Sequence, residues 1–330
     1  MSYRIGSFNV RNMSQNADSE KIEAIAKIIK SENFQIVVLQ EVFCKNVTYG
    51  QDGSISKMVQ PEDGNDPISS LLKNLGSSWM GCFGAPSQER KAKEGYAFLW
   101  NTKFFHLPKA RLVNGQLRTY YPRIYNNYTI RKRDNQQRLI RNPFFARFIP
   151  NNQPKMELRI INVHLYFGKD RTQDYEKRRK EFEVISQNIY PDVSDRVYWG
   201  HDKTNLGSFY TIMIGDYNLN LQRPWNEKPF VSYETFEIND NGKIKKMRIF
   251  QESKTTLKTP SEDENEQQRE TYSNNYDHST YDVERFSSGI KCNTKVIDVV
   301  RKYHNNNFKE YFKNISDHIP ICFEFDNNHV

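Results

Sequence analysis

The stretch that most constrains this chain is Thr211-Ile212-Met213-Ile214-Gly215-Asp216-Tyr217-Asn218-Leu219-Asn220. An apolar run of strand length ends in a glycine, and an acid and an amide follow two positions apart. That is the layout of a buried strand delivering polar groups to a sheet edge. Side chains alternate along an extended backbone, so Asp216 and Asn218 point to the same side, where they could hold a cation and a water. Gly, Asp and Asn are also common turn residues. This stretch alone therefore leaves a site and a plain turn both open.

The same arrangement recurs along the chain. Residues 5–10 read as a first strand with Asn9 near its end. Residues 18–31 place Ile22, Ile25, Ala26 and Ile29 at helical spacing, with Ser14, Asn16 and Asp18 available as caps. Ile36-Val37-Val38-Leu39 ends in Gln40-Glu41, and a carboxylate at the end of a buried strand is costly unless paired or bound to a metal. Glu41 is thus a candidate metal ligand. Residues 45–66 read as a loop. A short helix follows, with Pro67 in its first turn, Ile68, Leu71, Leu72 and Leu75 on its apolar face, and Gly76 at its end.

Gly95-Tyr96-Ala97-Phe98-Leu99-Trp100 is a further strand with Glu94 just before it. Residues 144–148 and 158–163 read as an antiparallel pair joined by the turn Pro150-Asn151-Asn152-Gln153-Pro154, and His164 ends the second strand. A lone histidine there is more often a core or capping residue than a catalyst. Residues 172–189 carry Tyr175, Phe182, Ile185 and Ile189 on one helical stripe, with Lys177, Arg178, Arg179 and Lys180 mostly on the other faces, which predicts a core-packing helix with a basic solvent side. Residues 222–270 are polar and read as a variable insertion or loop. Residues 295–300 read as a strand. After Ser316-Asp317-His318 the apolar positions Ile319, Ile321, Phe323 and Phe325 alternate, a half-buried strand with Asp317 and His318 at its mouth. There is no internal repeat.

A chain of 330 residues can bury a large core, and with no convincing linker residues 1–330 are expected to form a single domain. No apolar run approaches the roughly 20 residues that span a bilayer, so no membrane is expected. The first residues are strand-like with no apolar signal core, so a cytoplasmic setting is expected. Cys44, Cys82, Cys292 and Cys322 are scattered without zinc-ligand spacing and read as thiols in a reducing compartment. The net charge of +8 is concentrated: residues 109–148 hold ten Lys or Arg against the single acid Asp134. These bases are interleaved with Tyr120, Tyr121, Tyr125 and Tyr128, the pairing of cationic and flat side chains found on nucleic-acid contact surfaces. A solvated basic loop is the other reading.

In this order, Ser7-Phe8-Asn9, Leu39-Gln40-Glu41, Asn162-Val163-His164, Gly215-Asp216-Tyr217-Asn218 and Ile315-Ser316-Asp317-His318-Ile319-Pro320 resemble the endonuclease/exonuclease/phosphatase superfamily, the DNase I-like fold. The resemblance spans nearly the whole chain. It implies a four-layer α/β sandwich, two packed, mainly antiparallel sheets flanked by helices, with a divalent cation, usually Mg2+ (Mn2+ as a substitute), at the centre. Under it Glu41, helped by Asn9, would hold the cation, and Asp317 would complete the metal or water network. Asp216 and Asn218 would position the attacking water, and His318 and His164 would share proton transfer, their order left open. Asp277 would orient His318, with Asp282 as the alternative, and Glu94 would orient His164. Arg141, before Asn142-Pro143, resembles the arginine that reaches the nucleic-acid backbone. Arg131, Lys132, Arg133 and Tyr128 are the accompanying substrate-binding candidates. The chain departs from the family at Ala92, where DNase I-like enzymes place a groove-contacting tyrosine.

The resemblance therefore implies a metal-dependent phosphodiesterase acting on nucleic acid, with a DNase I-type DNA endonuclease favoured and no obligate protein partner inferred. A phosphatase or phosphodiesterase for a small phosphoester or lipid head group, such as an inositol phosphate or sphingomyelin, is the alternative. The spread of basic residues favours an extended polyanion over a compact substrate. A binding protein that kept the fold without the chemistry is disfavoured because every site position carries a chemically competent residue.

Overall fold

Strands apolar at every position must be covered on both faces, and this dictates a layered architecture. The structure, a computed structural model, describes residues 2–44, 57–61, 66–85, 93–111, 114–125, 139–169, 171–196, 208–220, 235–240, 242–250, 253–260, 272–287 and 290–327. In chain order the elements begin with β1 (Ser2–Met13), α1 (Ser19–Ser31), β2 (Ile36–Cys44), β3 (Lys57–Val59), α2 (Pro67–Leu75), β4 (Trp79–Gly84) and β5 (Lys93–Asn101). There follow β6 (Phe105–His106), β7 (Lys109–Arg111), β8 (Leu117–Thr119), β9 (Arg123–Ile124), β10 (Phe144–Pro150) and β11 (Glu157–His164). Next come α3 (Thr172–Val184), a π-helical turn (Ile185–Ile189), α4 (Tyr190–Asp195), β12 (Phe209–Asp216), β13 (Thr235–Asp240) and β14 (Lys243–Ile249). The last are β15 (Asp277–Asp282), α5 (Val283–Ser287), β16 (Ile290–Val296), α6 (Val299–Tyr303), α7 (Phe308–Asn314) and β17 (Ile321–Asn327).

A seven-stranded sheet runs β16-β17-β1-β2-β5-β4-β3, and an eight-stranded sheet runs β13-β14-β15-β12-β11-β10-β6 with β9 also on β10. Each sheet holds one parallel pair, β1 with β2 and β11 with β12, and its other pairings are antiparallel. Three apolar layers separate four structural ones. Ile5, Val38, Phe98, Ile160, Ile212 and Phe323 fill the space between the sheets. Ile25, Leu71, Leu39 and Tyr311 join the first sheet to α1, α2 and α7, and Phe182, Ile189, Ile161 and Met213 join the second sheet to α3 and its continuation. This is the expected two-sheet α/β sandwich flanked by helices.

Several local expectations need correction. β2 continues past Glu41 through a bulge, and Glu94 lies inside β5, opposite Phe43. Part of the predicted loop 45–66 is β3, which pairs with β4. The polar stretch 222–270 contributes the hairpin β13–β14, whose β14 extends the second sheet by pairing with β15. The strand expected at 295–300 lies earlier, as β16. Asp298 then caps α6 by accepting from the Arg301 backbone N–H, so Val299 and Val300 bury as helix residues. Cys322, placed on the outward face of a half-buried strand by the alternation, is fully buried against the helices, and Arg178, expected in solvent, is 2% exposed.

The four cysteines, all described, form no disulfide. Among the described residues, no helix is long and apolar enough to cross a membrane.

Candidate active site

Inward-facing positions of the central strands are apolar at one end of the sandwich and polar at the other. β1 carries Tyr3, Ile5, Ser7 and Asn9; β2 carries Ile36, Val38 and Gln40; β11 carries Leu158, Ile160, Asn162 and His164; β12 carries Tyr210, Ile212, Ile214 and Asp216. Both parallel pairs end at this polar edge, where Asn9 is in register with Gln40 and His164 with Asp216. Gln40 Nε2 donates to Asn162 Oδ1 across the sheets at 2.7 Å, so the polar layer ties them together.

The backbone is distorted where the site begins. Glu41 adopts φ 59° at the β2 bulge, and Arg11 and Asn12 adopt φ 42° and 55° at a matching irregularity in β1. Left-handed non-glycine residues cost energy, and such bulges re-aim side chains. Here the bulge aims the Glu41 carboxylate back at β1: Oε1 accepts from Asn9 Nδ2 at 3.0 Å and Oε2 from the Asn12 N–H at 3.1 Å.

At the centre is Asp216, which is 1% exposed. Its Oδ2 accepts from Asn9 Nδ2 at 3.0 Å and lies 3.5 Å from His164 Nε2 and 3.7 Å from His318 Nε2. Each histidine is backed by a carboxylate: His164 Nδ1 is 2.7 Å from Glu94 Oε1, and His318 Nδ1 is 2.8 Å from Asp277 Oδ2. Glu94 and His164 on one side, His318 and Asp277 on the other, thus flank one buried carboxylate. Asp216 Oδ1 accepts from the Asn218 N–H at 2.8 Å, and Asn218, at φ 50°, donates from Nδ2 to Leu165 O at 2.8 Å.

The electrostatics follow from burial and these partners. Burial pushes the Asp216 carboxyl up, with His318 and His164 opposing. Burial disfavours charge on His318, but Asp277 and Asp216 outweigh it and push its pKa up to about 10. For Glu94 burial is likewise overcome, by His164 and Arg141, and its pKa falls to about 2.

Some predicted residues are placed elsewhere. Arg141 is within the site but ion-paired, Nη2 at 2.7 Å from Glu94 Oε2, with Nη1 donating to Leu165 O at 3.2 Å. Asp317 is partly exposed and faces Arg11, Oδ1 at 3.8 Å from its Nε; no described contact joins it to Glu41 or Asp216. Asp282, the alternative partner for His318, caps α5 instead, accepting from the Glu284 N–H at 3.0 Å. Tyr128, Arg131, Lys132 and Arg133 lie outside the described residues, as does Ala92.

The rest of the basic segment is split. Arg147 is buried in an ion pair with Glu157, and Lys109, Arg111 and Arg118 sit on β7–β8 beyond β6. β6 pairs with Ile149 and Pro150, six residues and so about 20 Å along β10 from the site end at Phe144. Tyr120 packs under the Arg147 guanidinium and Tyr125 donates to Asp192.

Residues to which the sequence assigned no role in the site also hold it together. Arg178 donates from Nη1 to Asn218 O at 2.7 Å, holding the turn after Asp216 from below. Ser316 donates to Asn9 O at 2.7 Å, and Tyr311 to His318 O at 2.8 Å. Lys21 donates to Arg11 O at 2.6 Å, and burial, then Arg11, lowers its pKa to about 8 against the pull of Glu41 and Asp317. A polar residue at an inward strand position was the available signal for Asn162; Arg178 and Lys21 offered none.

A divalent cation fits the donor set. Glu41 supplies a partly exposed carboxylate, and the Asn9 amide donates to it and so fixes its position. Among the described residues no three His, Cys, Asp or Glu converge as a metal cage. Mg2+ usually binds through one or two carboxylates and several waters, so it needs no such cage.

The layered sheets, with a polar edge at the ends of both parallel pairs, form a DNase I-like four-layer α/β sandwich. Solved structures bear this out along the whole chain. An endonuclease/exonuclease/phosphatase from Bacteroides vulgatus aligns with TM-score 0.55 at 12% identity, covering 99% of this chain and 100% of that one. D. rerio TDP2 complexed with a single-strand DNA product aligns at 0.50 and 13%, covering 98% and 99%. The Bacteroides thetaiotaomicron mannosyl-6-phosphatase Bt3783 aligns at 0.50 and 12%, covering 98% and 99%. No protein-family model matches the chain, and no curated protein matches it in sequence.

Proposed function

We propose that this chain is a divalent-metal-dependent phosphodiesterase acting on nucleic acid, a DNA endonuclease of DNase I type. The observation that carries the reading is the buried Asp216 flanked by two carboxylate-backed histidines. Burial raises the Asp216 pKa, which makes the carboxylate a better acceptor for the proton of an attacking water, and Asn218 shapes the turn that presents it. His318, held as an imidazolium, supplies positive charge and a donor to a phosphate oxygen, while Asp277 keeps its ring oriented. His164, oriented by Glu94, faces the same Asp216 oxygen from the opposite side.

Glu41 with Asn9 would hold Mg2+, or Mn2+ in its place, which offsets charge developing on the phosphate. The fold is shared by a protein solved with a single-strand DNA product. The chain's own net charge of +8 supports a polyanionic substrate.

Nicking of supercoiled plasmid tests this. The wild type should nick it with Mg2+ and not with chelator, and His318→Ala should not nick. Folded wild type that leaves plasmid intact, yet releases phosphate from inositol or sugar phosphates, would overturn the nuclease reading in favour of a small phosphoester.

A further inference from the structure

One apolar ring stands at the site without belonging to any apolar cluster. Phe167 follows His164 by three residues and is 41% exposed. Single exposed apolar residues are ordinary on protein surfaces, and Leu117 and Ile244, on or beside surface hairpins, are examples. Phe167 differs in how it is held. Its ring packs edge-on against Tyr276, centroids 6.1 Å apart, and Tyr276 immediately precedes Asp277. The Arg178 guanidinium, which also bonds Asn218 O, lies 5.0 Å from the ring centroid. Both neighbours therefore adjoin site residues.

The loop that carries the ring is pinned along its length. Leu165 donates to Asp216 O at 2.9 Å, and its carbonyl accepts from Asn218 and Arg141. The Tyr166 N–H donates to Glu181 Oε2 at 2.9 Å, and the Lys169 N–H to Asp174 Oδ2 at 3.0 Å. Gly168, at φ 72°, makes the turn where an added Cβ would strike Asp174. A rigid loop thus presents an aromatic face to solvent beside a phosphodiester site, an arrangement that binds a flat group at little entropic cost.

We infer that Phe167 is a stacking platform for the nucleobase adjoining the scissile phosphate, a specificity residue that makes the site read a base as well as a backbone. The inference rests on the nuclease reading above. Its test uses a thymidine 12-mer and the same backbone with tetrahydrofuran abasic units in place of every base. Wild type, Phe167→Ala and Phe167→Trp are compared with Mg2+. Phe167→Ala should raise KM on the thymidine substrate by about 10-fold, a stacking loss of about 1.4 kcal/mol, and leave the abasic substrate unchanged. Phe167→Trp should retain wild-type KM.

Equal losses by Phe167→Ala on both substrates, or none on either, would overturn the stacking role while leaving the nuclease reading intact. Wild type that cleaves neither substrate, nor plasmid, removes the nuclease reading and this inference with it. Release of phosphate from a hexose phosphate, lowered by Phe167→Ala, would reassign the ring to a sugar and likewise overturn the inference.

Discussion

Glu94 shows how a single residue ties stability to the geometry around His164. Its pKa is depressed from 4.5 to about 2, so the folded state gains stability that is fully present above about pH 4.5 and is lost as pH falls toward 2. At 1.36 kcal/mol per decade this is on the order of 3 kcal/mol. Denaturant titrations between pH 2 and 7 should show that loss for the wild type and a flatter profile for Glu94→Gln. A wild-type profile as flat as the variant's would refute the depression.

His318 has the opposite sign. Its pKa is raised to about 10, so the stability it contributes is fully present below 6.5 and is lost as pH rises through about 10, and the imidazolium persists across the neutral range. NMR titration of the metal-free protein should show no His318 transition between pH 5 and 8, and His318→Gln should cut kcat about 100-fold or more.

Asp216 and Glu41 were legible in the sequence because each closes an apolar run, and His318 because it stands just before one. Arg178 was not, because an arginine on a helix reads as solvated unless a partner is known, and its partner is a backbone carbonyl 40 residues away. For Asp317 the local pattern placed the residue at the strand mouth but not the direction of its side chain, which is set by Arg11.

At the scale of elements, two distortions build the site: the paired irregularities of β1 and β2 near Asn9 and Glu41, and the close approach of β11 to β12. Gly215 sits at φ 147°, and a Cβ there would lie 2.0 Å from Val163 O, so only glycine lets the parallel pair stay in register up to Asp216. Gly215→Ala should destabilise the protein by more than about 2 kcal/mol, measured by thermal unfolding; an unchanged Tm would show that the strands can separate at no cost.

Continuous apolar strands were readable because both faces are buried. β3 was missed because its partner β4 carries no clear period, and β13–β14 because a hairpin rich in lysine and other polar residues looks like a loop until a sheet edge accepts it. The strand expected at 295–300 failed because Asp298 caps a helix at that point.

For the whole molecule, charge and metal set the predictions. With a net charge of +8, binding to a fluorescent DNA duplex should fall steeply between 50 and 200 mM salt, the slope reporting the phosphates neutralised. Mg2+ should raise the Tm of the wild type and not that of Glu41→Gln, since a cation bound only by the folded state stabilises it. An equal shift in both would place the cation elsewhere.

The site draws on Asn9 in β1 and His318 just before β17, and those two strands are hydrogen-bonded neighbours from Ser2 with Asp326 to Ser7 with Ile321. Until β17 pairs with it, β1 has an open edge and Asp216 lacks the histidine on one side, so the cluster around Asp216 comes together only when the first and last strands meet.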